Sequence, residues 1–312
     1  IYNDLEKNSK TFERGFYRSI IPGIVAVGVG LLLVLMLLFF MLAYCFLPLL
    51  WGGMTLDQSL QDLRMLPFNF PSMAGHLWFM YPLISLYLFI PFISPFLERS
   101  TKKDELIFLG LFAFSTFMPW LHRFVREDLW GECFWNGFTA LWYCSGYLGY
   151  LVLAHYIREH LKWDDRKKLR LGAVCFFIGS AFTWWSFWMK GVPGVVIETP
   201  MLEWAWEFCT PNVLLATFGI FLMFSCIRRE TAPRAVTDLS KLSFGMYLMH
   251  MIALAFFSAT FRTAMGIGAD GCLGVMTTPV EILLTAVCSY VTAALICVPL
   301  QKIPVVGKWI VG

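Results

Sequence analysis

The chain has 312 residues, 58% of them hydrophobic and 14% charged, with a mean hydropathy of +0.67 and a net charge of +3. Soluble domains carry about a quarter charged residues, so a pair of soluble domains is excluded and a polytopic membrane protein is indicated, with several apolar runs of the ~20 residues that a bilayer requires. There is no Gly-rich phosphate loop, no metal-ligand spacing and no GxSxG elbow, which argues against an ATPase, a metalloenzyme or a serine hydrolase of familiar type. The basic residues are dispersed among loops, which argues against nucleic acid.

The chain opens at Ile1 in polar sequence (Asn3, Asp4, Glu6, Lys7) with no apolar signal-peptide core. Such an opening carries the expectation that the sequence starts inside a longer protein. Eight apolar segments follow, over residues 20–48, 78–97, 106–121, 134–154, 171–189, 212–227, 242–261 and 281–300. They are long and apolar on all sides, which favours helices over the short alternating strands of a barrel. The expected fold is all-α, a polytopic transmembrane helical bundle forming one domain over 1–312.

Lysine and arginine set the orientation. Of the 24 basic residues, all but Arg64, Arg123, Arg126, Lys190 and Arg262 fall in the N-terminal stretch, the even-numbered loops and the tail. This split places both termini in the cytoplasm. In the first segment Gly23, Ala26 and Gly30 offer small-residue spacing for close helix contact, and its length suggests tilt. The outer loop 49–75 is expected to re-enter or cap the bundle. The outer loop 190–211 carries Glu198, Glu203, Trp204, Trp206 and Glu207, a mix that suits a sugar-binding rim or an interfacial aromatic belt. Of the nine cysteines, Cys133, Cys209 and Cys272 fall in outer loops where a disulfide is permitted; the others behave as small hydrophobes.

Two stretches place polar groups in apolar segments, where they are expensive and point to function. In the first, His76 precedes a helix on which Trp78, Tyr81 and Ser85 share a face. Pro82 has no N–H to give the carbonyl of Trp78, which is expected to be left free. An interfacial anchor with a proline kink is the alternative. In the second, Ser243, Tyr247 and His250 form a polar stripe at i, i+4 and i+7, with His250 near mid-membrane and suited to accept a proton near neutral pH. A satisfied core histidine is the alternative there. His122 and Glu132 lie in or beside the outer loop 121–133. His155 and His160 are expected to be solvated in a basic inner loop. Arg14 and Arg18 stand at the cytoplasmic end of the first segment, where they could bind lipid phosphates or those of a soluble donor.

The run Gly75-His76-Leu77-Trp78-Phe79-Met80-Tyr81 with Leu86-Tyr87-Leu88-Phe89-Ile90-Pro91 resembles the "HLWFLY…IGLYL…P" signature of acyltransferase family 3, bacterial integral-membrane O-acyltransferases. Ser243-Phe244-Gly245-Met246-Tyr247-Leu248-Met249-His250 resembles the family's late "SYGIYLxH" segment, and Phe12 to Pro22 its "RRxxRIxP" approach to a span. Trp130-Gly131-Glu132 and Ser145 to Tyr150 are similar to it as well. The resemblance implies about ten transmembrane helices, so eight present and two missing at the front, with a catalytic histidine on the absent first helix and hence an inactive fragment. Gly15 stands where the RxxR pattern ending at Arg18 wants an arginine. The resemblance further implies transfer of an acetyl or other acyl group from cytoplasmic acyl-CoA to a hydroxyl of a cell-envelope glycan or lipid-linked sugar, in the inner membrane, with no bound cofactor and no metal. Arg14 and Arg18 would hold the donor. His76, Trp78, Tyr81 and Glu132 would lie on the acceptor side, and Tyr247 and His250 in the polar interior, with His76, His250 and Tyr247 as the catalytic candidates. A transporter or flippase and a non-catalytic scaffold are the competing readings; the first predicts internal pseudo-symmetry and paired broken helices.

Overall fold

The structure, a computed structural model, describes residues 2–51, 53–125, 139–191, 204–228, 231–264, 277–304, 307 and 311. Side chains are described from residue 24 onward, excepting 51, 139, 140, 142, 262, 263, 277 and 278. The described residues are helical and contain no strand: α1 (Tyr2–Phe46), α2 (Leu56–Met65), α3 (Met80–Arg99), α4 (Lys102–Ser115), α5 (Met118–Phe124), α6 (Tyr147–Glu159), α7 (Asp165–Lys190), α8 (Pro211–Phe224), α9 (Arg234–Ala264) and α10 (Thr277–Gln301), with single-turn 3₁₀ segments at Leu47–Trp51, Gly75–Phe79 and Thr139–Cys144. The chain divides into two compact units, one of residues 1–91 and 231–312, the other of residues 92–230, with the division falling inside α3.

Local chemistry sets several of the helix starts. Thr55 and Gln58 form a capping box on α2, and Thr101 and Asp104 form one on α4. Asp164 caps α7 by accepting from the Lys167 N–H at 3.1 Å. Pro211 opens α8 at a position where its missing N–H costs nothing.

Among the described residues six helical stretches are long and apolar enough to cross a membrane: Ile24–Leu50, Gly75–Arg99, Lys102–Phe124, Asp165–Lys190, Arg234–Phe261 and Pro279–Gln301. The chain is a multi-pass membrane protein. Six of the eight spans expected from the sequence are thus seen among the described residues, and the other two segments are not single full-length helices there. Segment 134–154 lies partly outside the described residues, and its described part breaks at Gly146, whose φ of 75° is a left-handed conformation suited to glycine. Segment 212–227 forms only the 14 residues of α8, short of the ~20 needed to span.

What precedes α8 is non-helical chain, buried at some positions and exposed at others. Ala205 and Thr210 are fully buried and Trp204 nearly so. Its backbone carbonyls find partners inside the unit. Trp120 Nε1 donates to the Trp204 carbonyl at 3.3 Å, Thr183 Oγ1 to that of Ala205 at 3.2 Å, and the Tyr150 hydroxyl to that of Phe208 at 2.5 Å. Irregular backbone in a membrane protein is tolerated where protein groups satisfy it in this way. In the same unit α7 and α8 pack closely, because Gly172 and Gly219 meet face to face: a Cβ on Gly172 would lie 2.8 Å from the Gly219 carbonyl oxygen.

In the first unit, Met36, Phe40 and Tyr44 recur every fourth residue on α1 with Leu37 and Met41 beside them, and all are buried. They pack with Leu77 and Met80, with Leu242, Met246 and Met249 of α9, and with Ala293 and Cys297 of α10. Ile24, Leu31, Leu35, Leu38 and Leu42 occupy the opposite face of α1 and are exposed, a distribution suited to lipid as the outer solvent. Of the small-residue set expected on this helix, Ala26 is buried and a Cβ added to Gly30 would meet Leu88 of α3 at 3.1 Å; Gly23 lies outside the described side chains.

Candidate functional site

The polar groups of the first unit gather at one place. The 3₁₀ turn Gly75–Phe79 presents His76, the C-terminal end of α1 presents Tyr44, and α9 presents Tyr247 and His250. The His76 and His250 rings meet edge to face with centroids 5.0 Å apart, and the Tyr44 and Tyr247 rings lie 5.3 and 6.0 Å from His76. Outer lip and polar interior, read from the sequence as separate depths, are therefore one cluster.

Hydrogen bonds fix its geometry. The Tyr247 hydroxyl donates to the carbonyl of His76 at 2.7 Å, tying the 3₁₀ turn to α9. His76 Nε2 lies 3.3 Å from the Leu248 carbonyl and 3.4 Å from the Tyr44 hydroxyl. A carbonyl can only accept, so Nε2 carries the hydrogen and Nδ1 the lone pair. That Nδ1 is buried and has no partner. By the same reasoning His250 Nδ1 donates to the Tyr247 carbonyl at 2.5 Å, which leaves its Nε2 as the basic nitrogen.

His250 also lines a cavity of about 390 Å³ between α9 and α10, together with Ser243, Tyr247, Ser289 and Tyr290. The stripe Ser243–Tyr247–His250 thus faces one space. Helix α10 answers it with a second stripe that sequence reasoning missed. Glu281, Thr285 and Ser289 follow at every fourth residue and are all buried. Ser258 of α9 and Thr285 each donate to Glu281 Oε1 at 3.3 Å. The Ser289 hydroxyl, on the cavity wall, is buried without a partner. An acidic residue at the margin of an apolar run was the available signal for Glu281. For Tyr44 it was a phenol deep in the first run, since a buried phenol needs a polar partner.

Other candidates fall elsewhere. The Trp78 ring packs on Phe79, whose own ring lies 6.3 Å from Tyr247. Tyr81 is 44% exposed and packs on Phe70. The carbonyl of Trp78 is not free, contrary to expectation: the N–H of Met80 reaches it and the carbonyl of Leu77. The reason is that α3 begins only at Met80, so Pro82 sits in its first turn, where a missing N–H leaves no helix bond broken. Arg14 and Arg18 lie on α1, with their side chains outside the described part. Glu132 lies outside the described residues, as do Cys133, Cys272, Glu198 and Glu203. Cys209 is a free thiol. His122 is exposed on α5, in the second unit.

His155 and His160 are not solvated loop residues, a second correction. Both converge on Glu105, which is fully buried. Their sequence separation from Glu105, 50 and 55 residues, hid the association.

The chemistry open to the first cluster is proton handling: two imidazoles in contact, each with a nitrogen lone pair, beside a cavity with hydroxyls on its wall. The sequence model of one protein family, described as an acyltransferase domain, matches residues 14–300 and so crosses both compact units. No curated protein and no solved structure matches the chain.

Proposed function

The chain belongs to acyltransferase family 3, and we propose that it moves an acetyl or similar acyl group from cytoplasmic acyl-CoA to a hydroxyl of a cell-envelope glycan or lipid-linked sugar. The observation that carries this reading is the pair of imidazoles at the α9–α10 cavity, one of them lining it and the other with an unpartnered buried nitrogen. In this reading His250 Nε2 takes the proton of the acceptor hydroxyl. The hydroxyl oxygen forms the new bond to the thioester carbonyl carbon, the carbon–sulfur bond breaks, and the thiolate leaves and takes up a proton. His76, in ring contact with His250, supports the imidazolium that forms, and Tyr247 holds His76 in place. The Ser289 hydroxyl is a donor for the acceptor sugar, and a pocket with few convergent polar groups suits such a ligand. Trp78, Tyr81 and Glu132 belong to the acceptor side.

The donor side is assigned to Arg14 and Arg18, whose guanidinium groups suit phosphate. The concentration of basic residues in one set of loops supports cytoplasmic termini and an inner-membrane location. The test is mass spectrometry of the envelope glycans of bacteria expressing the full coding sequence. Wild type is expected to add the mass of an acyl group to a glycan or lipid-linked sugar, and His250→Ala and His76→Ala to abolish the addition. Unchanged acylation in both variants would remove these roles.

A further inference from the structure

The second unit holds a cluster that the acyl-transfer reading does not use. Glu105, near the start of α4, is fully buried. Three donors crowd one of its oxygens: Ser100 Oγ at 2.7 Å, His155 Nδ1 at 3.1 Å and His160 Nε2 at 3.1 Å all reach Oε1. The other oxygen, Oε2, is buried and has no partner. A fully buried carboxylate with one oxygen bare is costly, and a cation held by that carboxylate offsets its charge.

The geometry supplies room for one. One carboxylate oxygen and the two imidazole nitrogens all lie within 4.8 Å of one another. Ligands ~2.0–2.1 Å from a tetrahedral zinc stand roughly 3.4 Å apart, and the two nitrogen–oxygen distances, 3.1 Å each, are already close to that edge. Two histidines and one carboxylate form a donor set that zinc accepts with a fourth position open. The two histidine side chains are 27% and 24% exposed, which gives a solvent path to that position. Binding requires no net loss of protons from neutral imidazoles. The hydrogens on His155 Nδ1 and His160 Nε2 move to the opposite ring nitrogens.

We propose that Glu105, His155 and His160 form a zinc site with water or an anion as fourth ligand, fastening the start of α4 to the end of α6. Ser100 is a positioning residue that orients the carboxylate.

The experiment uses tag-free full-length protein in detergent, stripped with a chelator, loaded with zinc sulfate and desalted. Elemental analysis is expected to find one zinc per chain in wild type and background in Glu105→Gln and in His155→Ala/His160→Ala. Ser100→Ala is expected to bind zinc roughly 10–100-fold more weakly. Should the variants fail to fold, cobalt(II) on the wild-type protein decides. An intense visible absorption band of four-coordinate cobalt, displaced by zinc, supports the site. Wild type without zinc above background, or without that band, overturns it.

Discussion

Tyr247 joins the two stretches on which the candidate site is built, since its hydroxyl donates to the backbone of His76 while its ring contacts those of His76 and His250. Tyr247→Phe keeps the ring and removes the bond. A part-buried carbonyl then loses this hydrogen bond, at a cost of about 0.5–1.5 kcal/mol. We expect a lowered thermal midpoint in detergent with a proportionately larger loss of acyl transfer, because the displaced group is His76. A second residue-scale prediction concerns Cys209. Burial, outweighing an opposing hydrogen bond with the Gly146 backbone, pushes its thiol up to about 11. An unfolded thiol ionises near ~8.5, so the folded state keeps its proton while the unfolded state loses one. Stability is unaffected by this group below that value and falls as pH rises from there toward 11. Iodoacetamide at neutral pH is accordingly expected to spare Cys209 in native protein and to modify it in denaturant; rapid native labelling would contradict the assignment. His76, Tyr247 and His250 were legible in the sequence because each is a polar group in an apolar run. Glu105 with His155 and His160 was not, because the ligands come from distant segments and no local spacing announces them.

Helices α7 and α8 illustrate what the sequence conceals at the scale of elements. Hydropathy marks both, but not that their contact rests on glycine against glycine at Gly172 and Gly219. A leucine at Gly219 would be driven into the backbone of α7, and overpacking of this kind costs typically about 1–3 kcal/mol or more. Gly219→Leu is expected to lower the unfolding midpoint well below that of Gly110→Leu, the same change at a glycine of α4 whose added Cβ would meet open space; equal midpoints would show that the helices separate freely. The shortness of α6 and α8 has a related cause. Apolar composition continues past their ends, so a hydropathy window extends both into spans. The chain instead turns at Gly146 and runs without helix through residues 204–210, three of its carbonyls held by Trp120, Tyr150 and Thr183. Those bonds depend on tertiary partners that no window along the chain contains.

Considered as a whole molecule, the all-helical membrane fold was readable from composition and run length alone, because a bilayer imposes helices of a set length and leaves charges to the loops. In the second unit, stretches that the basic residues assign to one side meet one another. Arg228 pairs with Asp165 at 3.0 Å, and Glu105 meets His155 and His160 of the same 155–170 stretch that holds Asp165. We propose that the acyl donor enters from the side of the basic loops and that the imidazole pair of the first unit carries the transfer step. Membrane vesicles supplied with radiolabelled acetyl-CoA test this most directly. Inside-out vesicles of cells expressing the full coding sequence are predicted to incorporate label into the glycan or lipid-linked sugar fraction and right-side-out vesicles not, with His250→Ala lowering incorporation by roughly 10²–10⁴-fold. Incorporation from the outer face, or undiminished incorporation by His250→Ala, would contradict it.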